Sequence, residues 1–128
     1  LLAVLVISLG LRDVGFVERL AGAYHEADVF TVGAMSALGS AVLNNHPMSH
    51  LNMIALQSAS APRSAIFAAL VGGDLGPRLL PMGSLAGLLW LEMLRRAEVK
   101  VGVGTFIRVG VLVAIPTMAV SLAILAAN

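Results

Sequence analysis

The feature that most constrains this chain is the stretch Gly-Gly-Asp-Leu-Gly-Pro-Arg-Leu-Leu-Pro-Met-Gly-Ser at residues 72–84. It packs four glycines and two prolines into thirteen residues, between two apolar segments at 65–71 and 85–94. Proline removes a backbone donor and clashes with the preceding turn, and glycine tolerates positive φ, so no continuous helix is expected across the stretch. In a soluble protein this would be a surface loop. Composition argues against that. Hydrophobic residues make up 59% of the chain and charged ones 12%, against about 25% charged in an average soluble domain. At a mean hydropathy of +0.94, too few charges remain to coat a globular surface, and the chain reads as an all-α integral membrane protein embedded in a lipid bilayer.

Several function classes fall away. The net charge is +1 and no Lys/Arg run carries interleaved aromatics, so nucleic acid is set aside as a partner. The chain has no cysteine, which excludes disulfides, thiolate metal sites and thiol capture of a substrate. No serine–histidine–acid arrangement and no His-Glu-x-x-His is present, so an enzyme is not expected, nor a cofactor. His46 and His50 have the spacing of two ligands on one helical face, but without a third ligand no metal site is assigned.

Taken in order, residues 1–11 are apolar and reach about 16 Å as a helix, roughly half of a ~30 Å hydrocarbon core. They read as the end of a transmembrane helix that begins upstream, so the chain looks like a fragment of a longer protein whose N-terminal part is missing. Residues 12–28 carry two arginines, four acids and His25. Val14, Val17, Leu20 and Ala21 recur near helical spacing there, the pattern of a short amphipathic helix at the membrane surface. Residues 1–28 thus form a first unit.

Residues 29–43 and 48–61 are uncharged and each too short to span comfortably. Asn44-Asn45-His46-Pro47 lies between them, so residues 29–63 read as a re-entrant helical hairpin with a polar tip. The rival is one long helix kinked at Pro47. Residues 64–94 follow as one discontinuous transmembrane helix, 95–104 as a loop, and 105–128 as a last transmembrane helix. Four Lys/Arg fall in 95–108 against three at Arg12, Arg19 and Arg63. That bias favours a cytoplasmic 95–104 loop, a hairpin opening outward and Asn128 on the outer side.

A hairpin tip facing a broken helix is a binding architecture for a reason of charge. A half-helix ending near Gly72 exposes carbonyls, and one beginning near Ser84 exposes N–H groups. A small polar solute can be held between them without full charges. Ser84 suits an N-cap, and Asn44 and Asn45 bring amide donors and acceptors to the facing tip. Gly73 and Gly83 let the backbone approach the solute. Asp74 and Arg78 sit inside the break: either they couple transport to an ion or a proton, or they neutralise each other, since a charge at mid-bilayer costs about 2.5–3.5 kcal/mol.

At these residues the chain resembles a known family. Asn44-Asn45-His46-Pro47 and the run from Gly73 through Gly83-Ser84-Leu85-Ala86 to Leu88-Leu89-Trp90-Leu91 are similar to the arsenite efflux permeases (ArsB-like) of the ion transporter superfamily, in their C-terminal portion. The resemblance implies two inverted repeats, each with a hairpin and a broken helix, of which this chain is the second. It implies a multi-pass protein of the cell membrane that exports a small inorganic solute, arsenite or antimonite, by secondary transport or with a cytoplasmic ATPase. His46 and His50 depart from the apolar residues expected there, so other anion permeases and cation/proton antiporters of the superfamily remain alternatives, as does a non-transporting assembly subunit. Lack of cysteine is compatible with arsenite: thiolates would bind As(OH)3 too tightly to release it, whereas hydroxyls and amides hold it by hydrogen bonds.

Overall fold

A computed structural model describes residues 2–127, and every regular element among them is helical. The opening residue of the first apolar run and the placement expected for Asn128 lie outside the described residues. α1 (Leu2–Asp13) gives way at Gly15, whose φ of 76° turns the chain into α2 (Phe16–His25). Glycine takes that left-handed corner with little strain. Val17, Leu20 and Tyr24 form the buried stripe of α2, at i, i+3 and i+7, and face α4 (Asn45–Ser58). The apolar face expected at a membrane surface is therefore largely covered by protein, although Val14 is left 72% exposed.

α3 (Val29–Leu43) starts at an N-cap: the Asp28 carboxylate accepts the Thr31 N–H at 2.7 Å. Hydrogen bonding from Thr31 also holds the Asp28 carboxyl below its ordinary value. α3 ends at Asn44, where φ 79° and ψ 150° break the chain before α4. Pro47 falls in the first turn of α4, where its missing N–H has no intrahelical role. The two helices are separate and pack against each other; the rival reading of one helix kinked at Pro47 does not hold.

α5 (Arg63–Leu75) packs on α3 more extensively than any other pair of elements. Two short 3-10 turns follow, Gly76–Arg78 and Pro81–Gly83, then α6 (Leu85–Arg96) and α7 (Val103–Ala126). α7, with 24 residues, is the one helix among the described residues long and apolar enough to cross a membrane. Val32, Met48, Leu51, Ala68 and Leu122 are at the centre of the core, which α2, α3, α4, α5 and α7 share.

The first half-helix does not end near Gly72 as expected. Gly72 and Gly73 stay helical, and α5 runs on to Leu75. The reason is tertiary. A Cβ at Gly72 would lie 2.0 Å from the Gly33 carbonyl oxygen, and one at Gly76 2.1 Å from that of Ala37. These glycines are where the backbones of α3 and α5 touch. Pro77 stops the helix instead, because it has no N–H to give the carbonyl one turn back.

A line of buried polar groups crosses this core. The Tyr24 hydroxyl donates to Asn52 Oδ1 at 2.8 Å, Asn52 Nδ2 donates to Ser36 Oγ at 2.7 Å, and Ser36 Oγ donates to the Ala69 carbonyl at 2.6 Å. Each bond joins a different pair among α2, α4, α3 and α5. Burial pushes the Tyr24 hydroxyl up to about 12 from its ordinary 10.0.

Candidate functional site

Where α4 begins, α5 ends and α6 begins, the chain forms a half-open cavity of about 520 Å³. Asn44, Asn45 and His46 line it from the α3–α4 junction, Asp74, Pro77 and Arg78 from the end of α5, and Ser84 with Leu85, Ala86 and Gly87 from the start of α6. Two helices thus open on this wall with their N-termini, which bring unpaired N–H groups and partial positive charge. One helix ends there, with carbonyls and partial negative charge. The break between α5 and α6 was legible beforehand; the second N-terminus, that of α4, was not assigned.

The side chains tie the three walls together. Asn45 Nδ2 donates to Asp74 Oδ1 at 3.3 Å, and Ser49 Oγ donates to Asn45 Oδ1 at 2.9 Å. Asn44 Nδ2 reaches the Met82 carbonyl at 3.5 Å. Ser84 caps α6: its Oγ accepts the Gly87 N–H at 3.4 Å, with extended backbone at Ser84 itself.

Asp74 and Arg78 differ from their expected arrangement. Asp74 lies within the last turn of α5, not beyond it, and its side chain is exposed along the cavity. Arg78 does not neutralise the Asp74 carboxylate. Its Nη1 donates to the Asp74 backbone carbonyl, and among the described residues the two side chains form no ion pair. The helical geometry supplies the reason: in an unbroken helix the Arg78 N–H would serve that carbonyl, and the 3-10 turn at Gly76–Arg78 leaves it to the guanidinium. The carboxylate is left to Asn45.

Gly73 and Gly83 do not line the cavity. Gly83 is buried where three backbone segments meet, and a Cβ there would lie 2.7 Å from Pro77 Cα and 3.2 Å from Ala41 Cα. It is a packing glycine. Gly73 faces side-chain oxygens of α3 and α4 behind Asn45.

Reading the sequence missed the Tyr24–Asn52–Ser36 line. One signal was present: Asn45, Ser49 and Asn52 recur at i, i+4 and i+7, which is a polar stripe along one face of α4.

Comparison with known proteins agrees with the motif over the whole chain. The model of the family described as arsenical pump membrane protein matches residues 1–127. The chain is 32% identical over 136 aligned residues to an arsenical pump membrane protein of Yersinia enterocolitica, covering 98% of this chain and 32% of that protein. An arsenical pump membrane protein of Escherichia coli gives the same identity and coverage. A putative arsenical pump membrane protein of Bacillus subtilis is 29% identical over 120 residues, 84% of this chain and 27% of that protein. No solved structure matches the chain. The chain spans about a third of the length of the curated relatives it matches. With a family model matched from residue 1 to residue 127, the chain belongs to the arsenical pump membrane protein family.

Proposed function

We propose that this chain is the solute-binding part of a multi-pass secondary carrier that exports arsenite or antimonite across the cell membrane. The observation that carries the reading is the single cavity bounded by Asn44, Asn45, Asp74, Arg78 and Ser84, at the meeting of two helix starts and one helix end. At neutral pH arsenite is mainly uncharged As(OH)3, a small solute with three hydroxyls and no charge to pair. Amide, hydroxyl and backbone groups suit it, each as donor or acceptor of a single hydrogen bond. Summed over a few such bonds the affinity stays modest, which a carrier needs if it is to release its cargo.

In this reading α3 and α4 are the arms of a re-entrant hairpin, α5 and α6 the halves of a discontinuous transmembrane helix, and α7 the last span. Residues 1–28 lead in, and the loop at 95–104 faces the cytoplasm. An upstream half of inverted topology supplies the facing wall. Irregular backbone at mid-depth is tolerable there because it lines a polar cavity and not lipid. Asp74, the exposed carboxylate of the cavity, couples export to a proton, and a cytoplasmic ATPase is an additional partner. The test is uptake of arsenite into everted membrane vesicles that contain the full-length protein. Uptake that depends on the protein, and falls in Asn45→Ala at equal protein level, is the expected result; undiminished uptake in both Asn44→Ala and Asn45→Ala would remove this cavity from the transport path.

A further inference from the structure

The groove between α4 and α5 does not stop at the Asn45–Asp74 cavity. The two helices run antiparallel: Asn45 meets Asp74 at one end, and residues 59–62 turn one helix into the other at the opposite end. One turn down α4 from Asn45, a second half-open cavity of about 470 Å³ begins and follows the groove towards that turn. Ser49, Met53 and Gln57 line it from α4, Ile66 and Leu70 from α5, and Ser60 from the turn itself. Ser49 links the two cavities. It lines the second, and its Oγ donates to Oδ1 of Asn45, which lines the first.

The outward face of α4 is unlike its neighbours. It exposes His46, Ser49, Met53 and Gln57, a stripe at i, i+3, i+7 and i+11. Past Thr31, by contrast, α3 exposes Leu38 and Val42. Past Arg108, α7 exposes apolar side chains and Thr117, whose hydroxyl is taken up by the Val113 carbonyl. Those faces suit lipid. The α4 face does not, since amide and hydroxyl groups find no hydrogen-bond partner in hydrocarbon. Nor does it suit a tightly packed helix. Close helix contact in a membrane uses small residues, whereas Met53 and Gln57 are long, and Met53 is 55% exposed. The foot of the groove points to water as the cover, because Ser58, Ser60 and Arg63 are all exposed there, as at a membrane surface.

We propose that the α4–α5 groove is a water-filled passage by which the solute moves between the Asn45–Asp74 cavity and the membrane surface at residues 58–63. Its walls suit such a role. Gln57 and Ser60 offer single hydrogen bonds, and Ile66 and Leu70 offer none, so an uncharged hydroxylated solute passes without being held. Ser49, bonded to Asn45, is the threshold between passage and site. That the passenger is a metalloid hydroxide rests on the transport reading above; that the groove holds water does not.

This chain has no cysteine, so single thiols can be placed in the groove. Met53→Cys and Gln57→Cys are made in the full-length protein with any upstream cysteine replaced, and Leu112→Cys on the outward face of α7 serves as the lipid reference. Each thiol is tagged with a nitroxide and the protein is reconstituted in liposomes. Power-saturation EPR then reads collisions of the tag with an aqueous nickel chelate and with oxygen, which concentrates in lipid. Expected are tags at Met53→Cys and Gln57→Cys that meet the chelate, and one at Leu112→Cys that meets oxygen instead. Arsenite counterflow in the same liposomes is compared between tagged and untagged protein of each variant. The tag should abolish counterflow in Met53→Cys and Gln57→Cys and spare it in Leu112→Cys. Tags that meet the chelate without loss of counterflow overturn the passage, leaving a wet crevice off the path. Collision with oxygen alone puts lipid in the groove, and collision with neither, or thiols that cannot be tagged, puts protein there; each overturns the proposal. Should the unaltered protein move neither arsenite nor antimonite, the transport reading fails, while the chelate collisions still decide whether the groove holds water.

Discussion

Asn45 and Asp74 are joined by a hydrogen bond of 3.3 Å, from the amide Nδ2 to the carboxylate Oδ1, and it is the side-chain link between the first turn of α4 and the last turn of α5. Its energetic worth is modest, about 1.5–3 kcal/mol at most for a bond to a charged acceptor and less where water competes. Its importance is positional: it holds the exposed carboxylate against the α3–α4 junction.

Asp74→Asn keeps size and hydrogen-bonding capacity but cannot titrate. In the full-length protein this variant is expected to exchange arsenite across the membrane yet fail to accumulate it against a gradient. Counterflow and uphill uptake, measured side by side in vesicles, check this. Uphill uptake with an unchanged pH profile would leave Asp74 as a structural partner of Asn45.

Asn44 carries φ 79° and ψ 150°, a region that side-chain-bearing residues rarely occupy. Such a conformation costs about 1–3 kcal/mol. Asn44→Gly is therefore expected to hold or raise the thermal midpoint, because glycine relieves the strain, while losing the amide contact to Met82. Asn44→Ala keeps the strain, loses the same contact, and should be the less stable of the two. Thermal melts of both variants in detergent test the order.

Gly72→Ala is predicted to disrupt the fold although Gly73→Ala, one residue on, is sterically tolerated. The added methyl would sit 2.0 Å from the Gly33 carbonyl oxygen, and backbone cannot turn aside as a side chain can. Overpacking of this kind costs about 1–3 kcal/mol or more. Membrane-integrated protein should fall in a fluorescence-detected size-exclusion profile for Gly72→Ala and persist for Gly73→Ala.

How much of this was legible beforehand divides by the range of the interaction. The break between α5 and α6 is local chemistry: Pro77 lacks a donor, and Ser84 has a side chain that can cap. Both were readable from residue type alone. The end of α5 was misplaced because Gly72 looks like a terminator in isolation and proves to be a contact point with Gly33, far away in sequence. The partner of the Asp74 carboxylate was hidden for the same reason. Arg78, four residues on, was the obvious candidate, yet the guanidinium goes to a backbone carbonyl and α4 supplies the amide. Of the seven residues named for the site, five line one cavity, and the two that do not, Gly73 and Gly83, are glycines whose surroundings no local pattern reveals.

Tyr24 gives a prediction in pH. Its folded value is pushed up to about 12 while the unfolded value stays near 10.0. Between those values the unfolded state releases a proton that the folded state keeps. The contribution is thus fully present below pH 10 and lost as pH rises towards 12. Alkaline unfolding should therefore steepen in this window for the unaltered chain and flatten for Tyr24→Phe. At neutral pH the same substitution leaves Asn52 Oδ1 without its donor and should cost about 1–3 kcal/mol.

The line from Tyr24 through Asn52 and Ser36 to the Ala69 carbonyl has a mechanical consequence. Hydrogen bonds are directional and short-ranged, so α2, α3, α4 and α5 cannot slide past one another without breaking one of them in a dry interior. These four helices are a block. α6, by contrast, has no buried residue and packs chiefly on the Pro81–Gly83 turn. The turns at Gly76–Arg78 and Pro81–Gly83 are packed against α3 and belong with the block. The compliance of the chain therefore lies beyond Gly83, in α6, which can shift from Ser84 onward with the wall carrying Asn45 and Asp74 held still.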